Sequence, residues 1–534
     1  MNTVSEKALP RAEFPEQVGV SSGAISELID DFERHGVELH SIMILRHGKV
    51  AYEAWRDPYG PDVPHTMYSV SKSFASIATG FAIDEGLITL DTKVIDIFPE
   101  YRPKKYDANL EAMTVRHLLT MTAGKDVSVL DNKAKKPWIK SFFDASWAFA
   151  PGNGWKYISE NCFILCAIIN RITGISVREY LAPRLFRPLG MRENPFWETD
   201  PNGIEAGGWG LFITTEELAK VIHCMSHGGK YNGQQVIPEF WAREAGKYQV
   251  DNSCQSQNIS DSCVGYGYNF WRNSIPNSYR ADGMYSQFGI VLEDYDANII
   301  TTCSEVFEQK TRDCIWRHFP EGFIEPCDQA PSVEVPKALK PLPVLPAKPH
   351  SPLEKKLETS VIRLRYRPAL DAIGFPVSVL PNAVVYMSAD RAGNIDRISM
   401  NFTETECRFS WSEGKVRNTI ISGMDGKYRK SKIHLGGIDF TAVSSSCWED
   451  ENTFTIWIRA NESISERRMT FKFNGDKVSM TPSSCPSLKF TAQSIAGGID
   501  DMLPIKPLAD LFGDFLVKHY GLLEPKQNGH LEKR

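Results

Sequence analysis

Ser69-Val70-Ser71-Lys72 is the stretch of this chain whose residue types and spacing could do chemistry. A serine hydroxyl is a poor nucleophile until a base removes its proton. A lysine three positions later lies on the same helix face and can reach that hydroxyl. It must be neutral to act as a base, and burial or nearby positive charge favours that form. A helix start also leaves backbone N–H groups without intrahelical partners, and these can receive a developing oxyanion. The same four residues fit an ordinary helix N-cap followed by a solvated lysine. What favours chemistry is the segment that follows, 71–86 (SKSFASIATGFAIDEG), which reads as an apolar helix stopped by Gly86. Lys72 would then be a charge at a buried start.

The elements that must position this stretch are legible on either side. Residues 22–36 carry helical periodicity and end at Gly36. Residues 40–55 hold two β-prone runs around His47-Gly48-Lys49, a hairpin signal. Helices are predicted over 113–122, 162–172 and 214–228, the last with an N-cap threonine and acidic residues in its first turn. Strands are predicted at 264–272, 284–293 and 298–305. Helices thus mix with an antiparallel sheet whose strands come from both ends of the region. Small residues on the 71–86 helix (Ala75, Ser76, Ala78, Gly80) allow close packing.

Composition shifts at 331–352, where seven prolines suggest an extended linker. Three parts are therefore expected: a catalytic domain over 1–330, the linker, and a β-rich accessory domain over 353–534. In the last, short β-like runs fall at 360–366, 384–388, 397–411, 452–460 and 468–482, with a hairpin turn at Asn474-Gly475. A helix is expected at about 506–521 and a frayed tail from Lys526. Trp411, Trp448 and Trp457 read as core or solvated faces. This part is expected to narrow the catalytic pocket or support a homo-oligomer.

The chain has 534 residues, enough for roughly two to four domains. A net charge of −6 gives no electrostatic case for nucleic acid or an anionic membrane. There is no run of about 18 apolar residues. The first residues lack the pattern of a secretory signal. Eleven cysteines at irregular spacing suggest a reducing, cytoplasmic setting, and no Cys/His grouping suggests zinc. None of the twelve histidines sits in a motif beside Ser69, although a Ser-His-Asp triad stays open. Trp209, between Gly208 and Gly210, reads equally as an acyl-pocket wall or a core aromatic, and Tyr68 is a further possible lining residue.

Residues 67–88 (MYSVSKSFASIATGFAIDEGLI) resemble the nucleophile segment of the serine beta-lactamase-related family. That family includes class C beta-lactamases, D-amino-acid peptidases, esterases and nylon-oligomer hydrolases. Further segments follow its pattern in order: 113–124, 151–174 (PGNGWKYISENCFILCAIINRITG), 205–222 (EAGGWGLFITTEELAKVI), 266–271 and 281–302. The resemblance implies an α/β (α+β) beta-lactamase/transpeptidase-like catalytic domain, with an antiparallel sheet flanked by helices and a helical subdomain. It implies Ser69 as nucleophile, Lys72 as general base and Tyr157 as proton shuttle. A tyrosinate-like Tyr157 would need a lowered pKa, which a nearby ammonium could supply. Ser159 stands where the family often has Asn, with Asn161 two residues on, and both are expected near substrate. The third motif is Ala281-Asp282-Gly283. Gly283 preserves close backbone approach, and Met284 N–H is expected to form the oxyanion hole with that of Ser69. Asp282 is expected on the opposite strand face, without a role.

The resemblance implies a serine hydrolase for a small ester or amide, needing no metal or organic cofactor. Acyl transfer to an alcohol or amine uses the same acyl-enzyme. Beta-lactam or D-peptide processing fits less well, because Ala281 supplies no cation for a substrate carboxylate. A non-catalytic binding protein would be expected to lose one of Ser69, Lys72 and Tyr157.

Overall fold

In a computed structural model, the structure describes residues 8–127, 137–255, 260–329, 333–365, 379, 395–413, 416–435, 437–488, 518 and 524–534. The chain divides into two compact units, Met1–Lys340 and Pro341–Arg534.

The first unit is built on a six-stranded antiparallel sheet. Its strands are β1 (Leu39–Arg46), β2 (Lys49–Trp55), β3 (Trp271–Arg272), β4 (Ser278–Gly283), β5 (Gln287–Leu292) and β6 (Ala297–Cys303), in the order β2-β1-β6-β5-β4-β3. The hairpin read at His47-Gly48 is β1–β2, and the early strands do sit beside the late ones. Most of 264–272 is not strand; Tyr266 makes isolated bridges to Val250 and Trp271, only Trp271–Arg272 forms the edge strand β3, and β4, which the pattern did not single out, pairs with it.

Helix α1 (Ser22–Arg34) buries Ile25, Leu28, Ile29 and Phe32, spaced three and four apart, against Ile42, Ile44, Phe288 and Ile290 of the sheet. Ser21 caps it, its hydroxyl accepting from Ala24 N–H at 3.2 Å. Four further helices matter to the site: α2 (Ser71–Asp84), α3 (Glu160–Thr173), α4 (Thr215–Ser226) and α5 (Glu308–His318). Thr214 and Glu217 cap α4 reciprocally. That helix lies so close to the sheet that a Cβ on Gly289 of β5 would sit 2.5 Å from Ile222 Cγ1. Along α2 every side chain from Ser71 to Ala82 is buried. A helix apolar all round must be covered on every side, and α2 is. Ser73 Oγ donates to Asn269 O at 2.9 Å and Ser76 Oγ to Tyr268 O at 2.6 Å, so its few hydroxyls are satisfied by the chain packed against them. Among the described residues no single helix is long and apolar enough to cross a membrane.

The second unit holds ten antiparallel strands among its described residues: β7 (Ser360–Leu364), β8 (Ile395–Phe402), β9 (Glu406–Glu413), β10 (Val416–Gly423), β11 (Arg429–Leu435), β12 (Ile438–Asp450), β13 (Thr453–Ala460), β14 (Glu466–Asn474), β15 (Lys477–Cys485) and β16 (Gln527–Lys533). They run in the order β10-β9-β8-β7-β16-β15-β14-β13-β12-β11. The sheet curls until its ends meet: Asn418 of β10 donates to His434 O of β11 at 2.8 Å and accepts from His434 N–H at 3.0 Å. Closure leaves little exposed edge. Trp411 and Trp448 are buried, and Arg468 lies 4.2 Å over the Trp457 ring. The tail from Lys526, expected to fray, is instead a central strand. β16 pairs with β15 over 527–530 and with β7 over 529–533, which gives its backbone groups partners despite its polar sequence. The predicted run at 384–388 lies outside the described residues, as does nearly all of the predicted helix at 506–521.

One contact in α2 is tight enough to test. A Cβ on Gly80 would lie 2.3 Å from the Trp241 ring. Gly80→Ala should therefore destabilise the first unit by about 1–3 kcal/mol through overpacking, despite alanine's better helix propensity. A lowered urea or thermal midpoint would show it, and an unchanged midpoint would mean that Trp241 yields freely.

Candidate active site

Ser69 sits in a single 3-10 turn, Tyr68–Val70, that runs directly into α2. The turn is held from both sides. Ser71 Oγ donates to Tyr68 O at 2.7 Å and accepts from Leu211 N–H at 3.2 Å, while Met67 N–H donates to Leu211 O at 2.8 Å. Tyr68 has φ +44°, uncommon for a residue with a side chain. Such strain persists only where the surroundings enforce it, and here Ser71 and the 211 backbone do.

Lys72 is buried, and its Nζ has three oxygen neighbours: Ser69 Oγ at 2.9 Å, Ser159 Oγ at 3.0 Å and Gly208 O at 2.6 Å. An ammonium has three donors, and all three are used. Burial pulls the lysine down to about 8, with Cys162, Glu160 and Asp282 opposing. On losing a proton the amine needs one donor in place of one acceptor. The Gly208 carbonyl cannot supply it; a serine hydroxyl can. The geometry therefore lets Ser69 turn its proton toward Nζ when the lysine is neutral.

Tyr157 is half-buried, with its ring centroid 4.8 Å from Lys72 Nζ. Trp155, Tyr266 and Trp271 pack around it, with centroids 5.2 to 6.3 Å away. Burial pushes its phenol well above the usual range, and a hydrogen bond with Ser69 opposes this only in part. The expected lowering does not occur: desolvation of a phenolate in this aromatic enclosure is the largest cause, and Asp282, Cys162 and Glu308 push the same way. Tyr157 is a neutral phenol, able both to donate and to accept.

The remaining predicted residues fall at different distances from this centre. Ser159 touches Lys72 directly. Asn161 is buried in α3, and its amide nitrogen donates to Met121 Sδ at 3.5 Å. Gly283 sits where a Cβ would lie 2.3 Å from the Met67 carbonyl oxygen, so β4 approaches the turn that holds Ser69 more closely than any side chain allows. Met284 follows at the strand end, half-buried. Asp282, given no role by the sequence, pairs with Arg280 at 2.6 Å and Arg312 at 3.4 Å, tying β4 to α5. Trp209 is half-buried; its indole N–H donates to Glu198 at 2.5 Å and its ring tilts against Trp138 at 5.4 Å.

Sequence reasoning missed the Gly208 carbonyl, the Ser71 hydroxyl and Glu198. A backbone carbonyl leaves no side-chain signal. The Gly207-Gly208 pair was the available hint: Cβ atoms there would lie 2.4 Å from Cys162 O and 2.6 Å from Ser159 Cβ. One group among the described residues, Asp31, His35 and Cys314, brings possible metal ligands together. Arg317 and Arg34 already occupy the Asp31 carboxylate at 2.7 and 3.1 Å, which disfavours a cation.

A family model described as Beta-lactamase matches residues 25–313. The esterase EstB of Burkholderia gladioli is 27% identical over 186 residues, which cover 30% of this chain and 47% of the esterase. The 6-aminohexanoate-dimer hydrolase of Paenarthrobacter ureafaciens is 26% identical over 244 residues, covering 42% of this chain and 62% of that enzyme. The acyltransferase calJ of Penicillium decumbens is 31% identical over 166 residues, 26% of this chain and 39% of calJ. The chain thus spans less than two thirds of the length of each of these relatives.

Gly283 gives a direct test of the close approach. Gly283→Ala should push β4 away from Met67 and misplace the neighbouring N–H. Covalent labelling of Ser69 should slow by about 100-fold, the scale of one lost oxyanion donor, with the circular-dichroism spectrum kept. Labelling at the wild-type rate would remove this strand from the site.

Proposed function

The chain belongs to the beta-lactamase family, and we propose that it is a serine hydrolase that opens a small ester or amide through a Ser69 acyl-enzyme. The observation that carries this reading is the buried Lys72 amine, 2.9 Å from Ser69 Oγ.

Neutral Lys72 takes the proton of Ser69 as its oxygen attacks the substrate carbonyl. The N–H groups of Ser69 and Met284 receive the oxyanion. As the tetrahedral intermediate collapses, the bond to the leaving group breaks. Tyr157 gives that group its phenolic proton and recovers one from the Lys72 ammonium. A neutral phenol suits this double transfer, because it is never required to persist as phenolate. Water then attacks the acyl-enzyme by the same route in reverse, releasing the acid and restoring the Ser69 hydroxyl. Ser159 holds Lys72 on the side away from substrate, and Trp209 lines the acyl side. An alcohol or amine in place of water would give acyl transfer, a reading supported by the likeness to the fungal acyltransferase. A rise in ester product when an alcohol is added would reveal that partition.

The test is a fluorophosphonate probe together with p-nitrophenyl esters, with the adduct located by mass spectrometry. Ser69→Ala should abolish the adduct, and Ser69→Ala and Lys72→Ala should each lower turnover by at least about 10³-fold. Tyr157→Phe should cost on the order of 10². Because the reactive form of Lys72 is the neutral one, the acylation rate should rise about tenfold per pH unit up to the lysine's pKa of about 8 and then level. An adduct on another serine, or a rate flat from pH 6 to 9, would overturn the assignment.

A further inference from the structure

Lys72 is held in part by a backbone carbonyl, and a carbonyl is only as well placed as its chain. The Gly208 carbonyl lies in a loop, 207–209, carried by a short ladder between residues 196–199 and 205–212. Phe212 N–H donates to Phe196 O at 2.9 Å, Glu198 N–H to Gly210 O at 3.0 Å and Ala206 N–H to Glu198 O at 2.8 Å. Glycines interrupt its second strand: Gly207 and Gly210 have φ +66° and +86°. Backbone with so few side chains has many alternative conformations. Gly208 is held by its own N–H, which donates to Ala206 O at 2.6 Å, and by close packing on Ser159; the next residue, Trp209, is held in addition by a carboxylate.

Glu198 is buried, 3% exposed, in the middle of the first strand. Its Oε2 accepts the Trp209 indole N–H at 2.5 Å. A Cβ on Gly210 would meet Glu198 Cβ at 2.4 Å, so the two strands touch without clearance. Trp209 is fixed at its carbonyl as well, which accepts the Trp197 indole N–H at 2.9 Å. Behind it stands Trp138, with Phe163 of α3 5.3 Å further in. A hydrogen bond in a buried setting is electrostatically stronger than the same bond in water.

Resting on the reaction proposed above, we infer that Glu198 is a positioning residue of the acylation site: by clamping the Trp209 indole it fixes the Gly208 carbonyl that orients Lys72, and sets the indole face that walls the acyl side. Glu198 touches neither Lys72 nor substrate and acts through Trp209. Release of the clamp loosens Trp209, and with it the Gly208–Trp209 peptide whose carbonyl faces Lys72. Lys72 then loses an acceptor that favours its ammonium, and its alignment on Ser69.

The experiment compares the full-length wild-type chain with Glu198→Ala, Glu198→Gln, Trp209→Phe and the Glu198→Ala/Trp209→Phe double variant. Two readouts are taken: the indole N–H resonances in ¹⁵N-tryptophan-labelled protein, and the pH dependence of Ser69 labelling by a fluorophosphonate. The signal lost in Trp209→Phe assigns the indole. Glu198→Ala should move that signal upfield, slow labelling about tenfold and displace the pH midpoint of labelling to lower pH. Glu198→Gln keeps an oxygen acceptor and should restore labelling to within about threefold, with the wild-type midpoint. Trp209→Phe should reproduce the labelling loss of Glu198→Ala, and the double variant should be no slower than either. Multiplying effects in the double variant, or an unmoved midpoint in Trp209→Phe, would overturn the clamp, and the second of these decides the matter even if Glu198→Ala does not fold. Wild-type protein that fails to label at Ser69 would sink the proposed reaction and the clamp's part in it, whereas labelling indifferent to Glu198 and Trp209 would sink the clamp alone.

Discussion

A lysine amine enclosed at the start of an apolar helix is the constraint around which this site is arranged. Removing a cation from water is costly unless its donors are met. Lys72 meets all three, on Ser69, Ser159 and Gly208. Desolvation still weighs more, and the lysine titrates near 8 rather than in its usual range. The two facts together define its chemistry. A solvated lysine would stay charged and could not act as a base; one without partners would not stay buried in a stable fold. Each partner comes from a different segment, so the turn before α2, the start of α3 and the 205–211 backbone must all arrive at one point.

Their arrival depends on missing side chains. Gly208 lies where a Cβ would strike Ser159, Gly283 where it would strike the Met67 carbonyl, Gly80 where it would strike Trp241. Interiors are packed densely enough that one extra methyl group at such places displaces backbone. The same glycines weaken the local chain, and polar clasps compensate. Ser71 fastens the nucleophile turn, Glu198 fastens Trp209, and Asp282 with Arg280 and Arg312 braces β4 against α5. The Asp282 clasp uses charges that are buried or nearly so, which is where a hydrogen-bonded ion holds its neighbours most firmly.

Much of this was legible in the residues. Helices α1, α2, α3 and α4 followed from periodicity and from caps such as Thr214 and the glycine after α3, because those signals are local. The β1–β2 hairpin followed from His47-Gly48 for the same reason. Ser69 and Lys72 were singled out by their spacing together with the family resemblance, and the structure brings the two groups to 2.9 Å. What escaped was non-local. β4 has a mixed sequence and is a strand because β5 and β3 flank it. The polar tail became β16 because two strands offered it partners. The state of Tyr157 depended on weighing desolvation against one ammonium, and only the surrounding rings of Trp155, Tyr266 and Trp271 decide that balance.

The state of Lys72 is the claim on which the rest stands, and it can be measured without substrate. Full-length protein labelled with ¹³C-lysine would be titrated from pH 6 to 11, following the carbon next to each amine, with Lys72→Arg to assign the resonance. The account predicts that this one signal titrates near pH 8, well below the surface lysines. A Lys72 signal that titrates with the others, above pH 10, would mean that the amine is solvated and charged at neutral pH, and would contradict its role as the base.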